Sequence, residues 1–439
     1  MKLNTKRTLF AGFAFLLISA FWQLYDGLIP QILKNSFDIN DVFSGFIMSF
    51  DNILSLFLLP IFGALSDKTN TRLGKRTPYI LFGTIAAVII MMILPIAEST
   101  RNLSLFLIAL FLLLLAMATF RSPAVALMPD ITPKPFRSKA NAIINLMGTI
   151  GGIVILLSVN FLVPAVDHPD YMPVFAFTAV LMFISLVILL KTTKENKLRK
   201  IAEEETAALG LVEEEEKEET AAVEMSKQKK RSLYFILASV FFWFMGYNGI
   251  TTAFSKYASV YWGFKGGSFA STLILAQAAA IVCFVPVGIL SGKIGRKKTI
   301  LLGIILLFTA FFAGSFFKTY SFWITIFFII AGAGWAAINV NSYPMVVELA
   351  KGSNIGKYTG YYYTASQAAQ VLTPILSGFI LEYGYLILGS TDPNAGYAFL
   401  FPYGAFFVAL SFLTMRMVKH GDTKPQEKAK ILDQFASED

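Results

Sequence analysis

A succession of long apolar runs limits this chain more than any other feature. Stretches such as "TLFAGFAFLLISAFWQLYDGLIPQIL", "YILFGTIAAVIIMMILPIA" and "LSLFLIALFLLLLAMATF" are each about the ~20 residues that cross a bilayer as a helix. In hydrocarbon every backbone N–H and C=O must be paired internally, so such runs fold as helices. About twelve are expected, near residues 8–33, 42–66, 77–97, 102–129, 139–164, 171–191, 232–262, 268–291, 299–317, 320–347, 357–386 and 395–418. The expected fold class is all-α and integral to the membrane. Only 15% of the 439 residues are charged, against roughly a quarter in a soluble domain.

The net charge of +9 is distributed as membrane topology requires. With the N-terminus inside, the cytoplasmic segments hold about thirty of the 37 Lys and Arg, clustered in "DKTNTRLGKR", "KPFRSK", "KIGRKK" and the 191–231 loop. The opposite loops hold Lys34, Arg101, Lys265 and Lys318. This asymmetry predicts that both termini are cytoplasmic in a plasma or inner cell membrane. No basic face lies outside the membrane pattern, so no nucleic-acid partner is expected. The first run contains Asp26 and lacks a small-x-small site, so it is read as a span and not a cleaved signal. The single cysteine, Cys283, excludes an intrachain disulfide and is expected to be a small core residue. His168 and His420 fall in separate loops and form no metal constellation.

Residues 192–231 interrupt the apolar pattern with "TTKENKLRKIAEEETAALGLVEEEEKEETAAVEMSKQKKR". Blocks of alternating sign and almost no aromatics predict a solvated cytoplasmic connector, partly helical but with little to bury. It separates a six-span bundle, residues 1–191, from a second, residues 232–419, with a cytoplasmic tail over 420–439. The halves repeat. "FWQLYDG" in span 1 answers "FWFMGYNG" in span 7, and "PIFGALSDKTNTRLGKR" after span 2 answers "PVGILSGKIGRKK" after span 8. "ALMPDITPKPFR" answers "MVVELAKGSNIGK", and all three offsets are about 220 residues. Parallel halves of this kind predict a transporter with its site near the midplane.

The loop "GALSDKTNTRLGKRTPYIL" resembles the signature that follows span 2 in the major facilitator superfamily. Its longer spacing and the ending "RLGKRTPYIL" are similar to the glycoside–pentoside–hexuronide carriers and the sucrose-type proton symporters. "RSPAVALMPDIT" in span 4 resembles the "GP-x-R-A-L-x-x-D" segment of the sucrose-type group. The resemblance implies a major facilitator fold and alternating-access transport of a small sugar. The chain departs from the pattern at named positions. Val125 and Leu114 stand where the sucrose-type group has an Arg and an Asp. Ser55 and Leu59 stand where melibiose-type carriers place acidic cation ligands, and Arg121 where they have a span-4 carboxylate. Gly292 replaces the signature Asp in the second half.

Charges inside the spans are few: Asp26, Asp51, Arg121 and Lys256. Each is costly in the bilayer core, so such residues face a cavity or a partner. At 1.5 Å per residue, Asp26 lies about 27 Å along span 1, Asp51 about 13 Å from the outer end of span 2, and Arg121 about 13 Å above the inner end of span 4. A long Arg side chain narrows that gap. The functional reading is a carboxylate–arginine system in which a proton binds Asp26 or Asp51 and changes its pairing with Arg121. The alternative is a fixed salt bridge between helices. Lys256 is expected to snorkel to the outer interface.

Sugar recognition needs flat apolar faces and several amide or carboxylate groups in a mostly preformed pocket. Candidates in the first half are Trp22, Gln23, Tyr25, Asp26, Asn52 and Arg121. In the second they are Trp243, Tyr247, Asn248, Asn341, Tyr362, Gln367 and Gln370, the last two sharing a helix face three residues apart. Ordinary packing is the alternative for each aromatic. A cytoplasmic cluster of Asp67, Arg72, Lys75, Arg76, Asp130, Arg137 and Glu348 reads as a gate, in which a network that breaks in one state biases the equilibrium.

An enzyme is not expected, since no nucleophile–base or metal cluster appears, and no cofactor is called for. "GSNIGKYT", residues 352–359, is one residue short of a phosphate loop, and Tyr358 replaces its Ser or Thr. The expected function is proton-coupled symport of a disaccharide or glycoside by a monomer in the lipid bilayer, with sodium as the alternative coupling ion. The competing readings are a drug–proton antiporter and a non-transporting sensor of transporter fold.

Overall fold

The computed structural model describes residues 3–133, 136–208, 226–349 and 355–420, without the side chains of Ser138, Ala208, Val347, Glu348 and 355–357. Twelve of its helices are long and apolar enough to cross a membrane. The first six are Thr5–Asn35, Asp41–Lys68, Thr77–Ser99, Leu103–Asp130, Lys139–Leu162 and Met172–Thr192. The second six are Lys227–Val260, Ala270–Ile294, Arg296–Gly314, Ile324–Val346, Tyr358–Ile387 and Pro393–Arg416. These are spans 1 to 12, each where an apolar run predicts it, with ends shifted by a few residues. The described residues contain no strand beyond an isolated bridge between Thr71 and Gly74.

Local chemistry sets the ends and breaks. Asn40 caps span 2 by accepting from Phe43 N at 2.7 Å, and Asn102 caps span 4 by accepting from Leu105 N at 3.0 Å. Span 3 breaks at Met92, between Thr77–Met91 and Ile93–Ser99. Pro95 has no N–H to give to the preceding turn, which accounts for the break.

The chain forms two compact units. One comprises Met1–Lys217 with Thr252–Ile274, the other Glu218–Thr251 with Leu275–Asp439. In the first unit, span 1 packs on spans 5 and 6, and span 3 on spans 4 and 6. In the second, span 9 packs on spans 10 and 12 as span 3 does on 4 and 6. Spans 3 and 9, six apart in the order of spans, thus pack alike. Small residues allow the closest approaches: Gly151 lies against the Leu16 backbone, and Gly332 against that of Ala276. Such contacts replace a hydrophobic driving force that lipid cannot provide.

The end of span 7 and the loop after it belong to the first unit. Gln31 Nε2 donates to Gly266 O at 3.0 Å, Asn35 Nδ2 to Ser259 Oγ at 2.9 Å, and Gly267 N to Val163 O at 3.2 Å. Gly266 has φ of 53°, and a Cβ there would overlap the Pro164 carbonyl, so glycine is required twice over.

Three expectations need correction. Lys256 does not snorkel: it is buried, with Nζ 2.6 Å from Asp41 Oδ1. A buried ammonium needs a partner more than it needs the interface. Cys283 is half-buried and not a core residue. The connector is not solvated throughout. Glu195–Ala208 is a helix with Glu195, Ala202 and Thr206 buried. Its polar groups find partners on the first bundle, which the low apolar content of the segment did not disclose. Residues 209–225, the tail from 421, and residues 352–354 of the phosphate-loop look-alike lie outside the described residues.

Candidate functional site

Three of the intramembrane charges of the first unit converge, while Lys256 pairs with Asp41. Asp26 on span 1, Asp51 on span 2 and Arg121 on span 4 lie within electrostatic reach of one another. The Arg121 guanidinium sits 4.9 Å above the centroid of the Trp22 ring, and its Nη1 donates to Ser55 Oγ at 3.4 Å. Ser55 is one turn from Asp51 on the same helix, so the long side chain does narrow the gap in depth. Among the described residues no carboxylate oxygen lies within 4.0 Å of an Arg121 nitrogen. The fixed helix–helix salt bridge is therefore not what is seen.

A guanidinium over a Trp face gains cation–π energy of about 0.5–2 kcal/mol, the higher value when desolvated. That contact holds Arg121 without neutralising it, which leaves both carboxylates free of a direct cation. Asp51 Oδ1 accepts from Asn52 Nδ2 at 2.8 Å. Asp51 is buried, whereas Asp26 is half-buried. Trp22 and Tyr25 meet edge to face at 5.4 Å. Trp22 Nε1 and Tyr25 Oη are buried and have no hydrogen-bond partner among the described residues. Native structures rarely leave such groups unmet, so each has a hydrogen bond to offer to water or to a ligand. Gln23 is half-buried on the same helix.

The second unit holds its candidates less tightly together. Tyr247 stacks on Trp335 at 6.0 Å and 28°, and Trp335 also meets Phe284 at 5.8 Å. Trp335 is half-buried and went unnoticed in the sequence, where "GAGWAAI" offers no polar neighbour to mark it. Trp243 is fully buried, with its ring 3.9 Å from that of Phe244. Asn248 is half-buried on the same helix. Asn341 is buried and donates to Ala337 O of its own helix at 2.9 Å. Tyr362 Oη pairs with Ser342 Oγ at 3.0 Å, and Gln370 Nε2 donates to Ser366 O at 3.3 Å. The Gln367 carbonyl oxygen is buried without a partner among the described residues.

The predicted gate cluster has one hub. Arg76, just before span 3, is nearly buried. Its Nε donates to Asp130 at 2.8 Å, and its Nη groups donate to Asp67 and Ser66. Burial pulls the Arg76 pKa down, but Asp130 and then Asp67 outweigh that and leave it raised. The guanidinium therefore stays charged at any physiological pH. All these partners belong to the first unit. Arg72 is exposed, and Lys75 is half-buried. Arg137 Nε donates to Thr132 O at 3.3 Å and joins no carboxylate among the described residues. The Glu348 side chain lies outside the described residues.

A family model described as the Major Facilitator Superfamily matches residues 11–286 and 263–436. The chain belongs to that superfamily and is a multi-pass membrane transporter, not an enzyme. The sucrose transport protein SUC3 of Arabidopsis thaliana is 30% identical over 152 residues, a match covering 30% of this chain and 25% of that protein. The chain thus spans about a quarter of the length of the curated relative it matches. The inward-open xylose transporter XylE from E. coli aligns over 98% of both chains, with a TM-score of 0.68 and 13% identity. The nucleoside transporter NupG covers 94% of this chain and 100% of its own, at TM-score 0.67 and 16% identity. A bacterial homologue of the human lysosomal transporter Spinster covers 97% and 100%, at 0.69 and 16%. At such identities these structures establish the fold alone.

Proposed function

We propose that the chain is a secondary active symporter that carries a small sugar, a disaccharide or glycoside, together with a proton. The observation that carries this reading is the arrangement of Asp26, Asp51 and Arg121: two carboxylates within reach of a guanidinium that is ion-paired to neither. A proton that binds one carboxylate changes the field at Arg121 without first breaking a salt bridge. The partnerless Trp22 Nε1 and Tyr25 Oη offer hydrogen bonds of the kind a polyol takes. The Tyr247–Trp335 stack of the second unit offers a flat apolar face of the kind that sugar rings pack on. The similarity to a sucrose transport protein, over part of the chain, favours the same substrate class.

The proton is favoured over sodium by the contact between Arg121 and Ser55. These are two of the positions at which the melibiose-type resemblance places acidic cation ligands. A guanidinium there repels a sodium ion and offers it no oxygen. The distribution of Lys and Arg favours an orientation with both termini and the Arg76 network in the cytoplasm, in a plasma or inner membrane. The chain works as a monomer in this reading.

The test is uptake of a labelled sugar panel into proteoliposomes, with proton and sodium gradients imposed separately. Accumulation of a sugar on an inward proton gradient is expected, with none on a sodium gradient alone. Accumulation on sodium alone, or transport of no sugar in the panel, overturns the reading.

A further inference from the structure

The connector between the two sets of six spans presents one buried carboxylate to the first unit. Glu195 is 1% exposed. Its Oε1 accepts from Lys75 N at 2.7 Å and Arg76 N at 3.0 Å. Its Oε2 accepts from Arg76 N at 3.0 Å, Thr77 N at 2.9 Å and Thr77 Oγ1 at 2.7 Å. Three successive backbone donors at the start of span 3 thus converge on one side chain from more than a hundred residues away. Arg76 is the cap residue of that helix and makes no side-chain cap bond of its own. Glu195 supplies the missing acceptor, and its charge complements the helix N-terminus.

The same loop is gripped elsewhere. Asn196 Nδ2 donates to Thr71 O at 3.0 Å and to Arg72 O at 3.2 Å. Gly74 has φ of 124°, and a Cβ there would overlap the Glu195 carboxylate. The signature glycine is thus needed both for its backbone conformation and for the seat of Glu195. At the far end of the helix, Glu205 accepts from Arg7 Nη2 at 2.7 Å. Both ends of the connector helix are therefore anchored on the first bundle.

We propose that Glu195 is a positioning residue for transport: it fixes the backbone of Arg76 so that the guanidinium bridges Asp67 and Asp130. Arg76 is held at its backbone by the connector and at its side chain by spans 2 and 4. Release at the first site frees the second. The connector helix thereby becomes part of the gate, through its contact with the signature loop. The transport half of this inference rests on the gate and sugar readings above; the positioning half does not.

The test compares full-length wild type with Glu195→Gln in detergent and in proteoliposomes. A Gln amide has one acceptor oxygen and no charge, so it cannot serve four donors. Hydrogen exchange of the Lys75, Arg76 and Thr77 amides is expected to quicken by at least about tenfold, and the loss of protection to spread to residues 61–70 and 123–131. In proteoliposomes, turnover of labelled sucrose is expected to change by at least about threefold with KM within about twofold. Glu205→Gln, which breaks only the distal anchor, is expected to leave exchange at 61–77 as in wild type.

Unchanged exchange at 61–70 and 123–131 in Glu195→Gln overturns the proposal, and so does wild-type turnover in a variant whose loop is released. Should wild type move no sucrose, the turnover arm uses a sugar that the panel shows it to carry; should it carry none, the sugar reading falls, and exchange alone decides this one. Should Glu195→Gln not yield a folded protein, Glu195→Asp decides on the same readouts. It keeps the charge but is one methylene too short to reach all three amides.

Discussion

Lys256 and Asp41 form a buried ion pair, with Nζ 2.6 Å from Oδ1 and side chains only 5% and 2% exposed. They are 215 positions apart. Asp41 opens span 2, and Lys256 sits near the end of span 7. A second cation, Lys34, lies 3.9 Å from the other oxygen of Asp41. The two partners are thus not equivalent: Asp41 keeps a cation if Lys256 is lost, but Lys256 loses its carboxylate if Asp41 is lost.

That asymmetry predicts the order of two mutants. Removing one partner of a buried pair costs about 3–5 kcal/mol, because the other charge is left uncompensated. Asp41→Asn should lose the full amount. Lys256→Met should lose about half of it, since Lys34 remains. The double mutant should be more stable than Asp41→Asn alone. Thermal unfolding in detergent measures all three. Equal losses for the two single mutants would show that Lys34 does not share the carboxylate, and a strictly additive double mutant would show that the pair is not coupled.

Arg121→Lys keeps the charge but loses the planar group that covers Trp22 and reaches Ser55. Transport efficiency should fall by at least about tenfold, equivalent to ~1.4 kcal/mol. An ammonium is more strongly hydrated and has no flat face to lay on the ring, so restoring the charge does not restore the geometry. Wild-type kinetics in proteoliposomes would mean that Arg121 is a replaceable packing charge.

The gate network predicts a graded pair. Asp67 is 61% exposed and Asp130 only 27%, while Arg76 holds both. Screening by solvent makes the exposed partner the weaker one. Asp67→Asn should slow turnover while equilibrium sugar binding in detergent stays near wild type, and Asp130→Asn should slow it more. Loss of affinity with unchanged turnover would place Asp67 outside the gate.

The parts of this molecule that were legible in the sequence are those set by one segment at a time. The twelve spans follow from apolar length. Asp26, Asp51 and Arg121 stood out because charge inside an apolar run is costly wherever the chain goes next. What stayed hidden were relationships between distant segments. Glu195 read as one more acid in a charged connector, because its partners are backbone amides, which carry no side-chain signal. Asp41 falls just outside the apolar run at 42–66 and drew no attention, and Lys256 read as a cation bound for the interface, because nothing local announces a partner across the fold. Trp335 was hidden for the opposite reason: in a chain rich in aromatics, one more inside an apolar helix has no contrast.

The last prediction separates proton coupling from recognition. Asp26 and Asn248 occupy matching places in "FWQLYDG" and "FWFMGYNG", and both are half-buried in their own units. Both offer hydrogen bonds, but Asp26 alone can change its charge. It lies within reach of Arg121 and Asp51, so its protonation alters the field on both. Asp26→Asn keeps the shape and removes the titration. This mutant should lose accumulation driven by a pH gradient yet retain exchange of sugar down its own gradient. Asn248→Ala should instead raise KM several-fold and leave accumulation proton-driven, since it removes a recognition group and no charge. Paired uptake and counterflow measurements in proteoliposomes distinguish the two effects. If Asp26→Asn still concentrates sugar on a pH gradient, the coupling proton binds elsewhere. Asp51, the more deeply buried carboxylate of the same cluster, then becomes the residue to test.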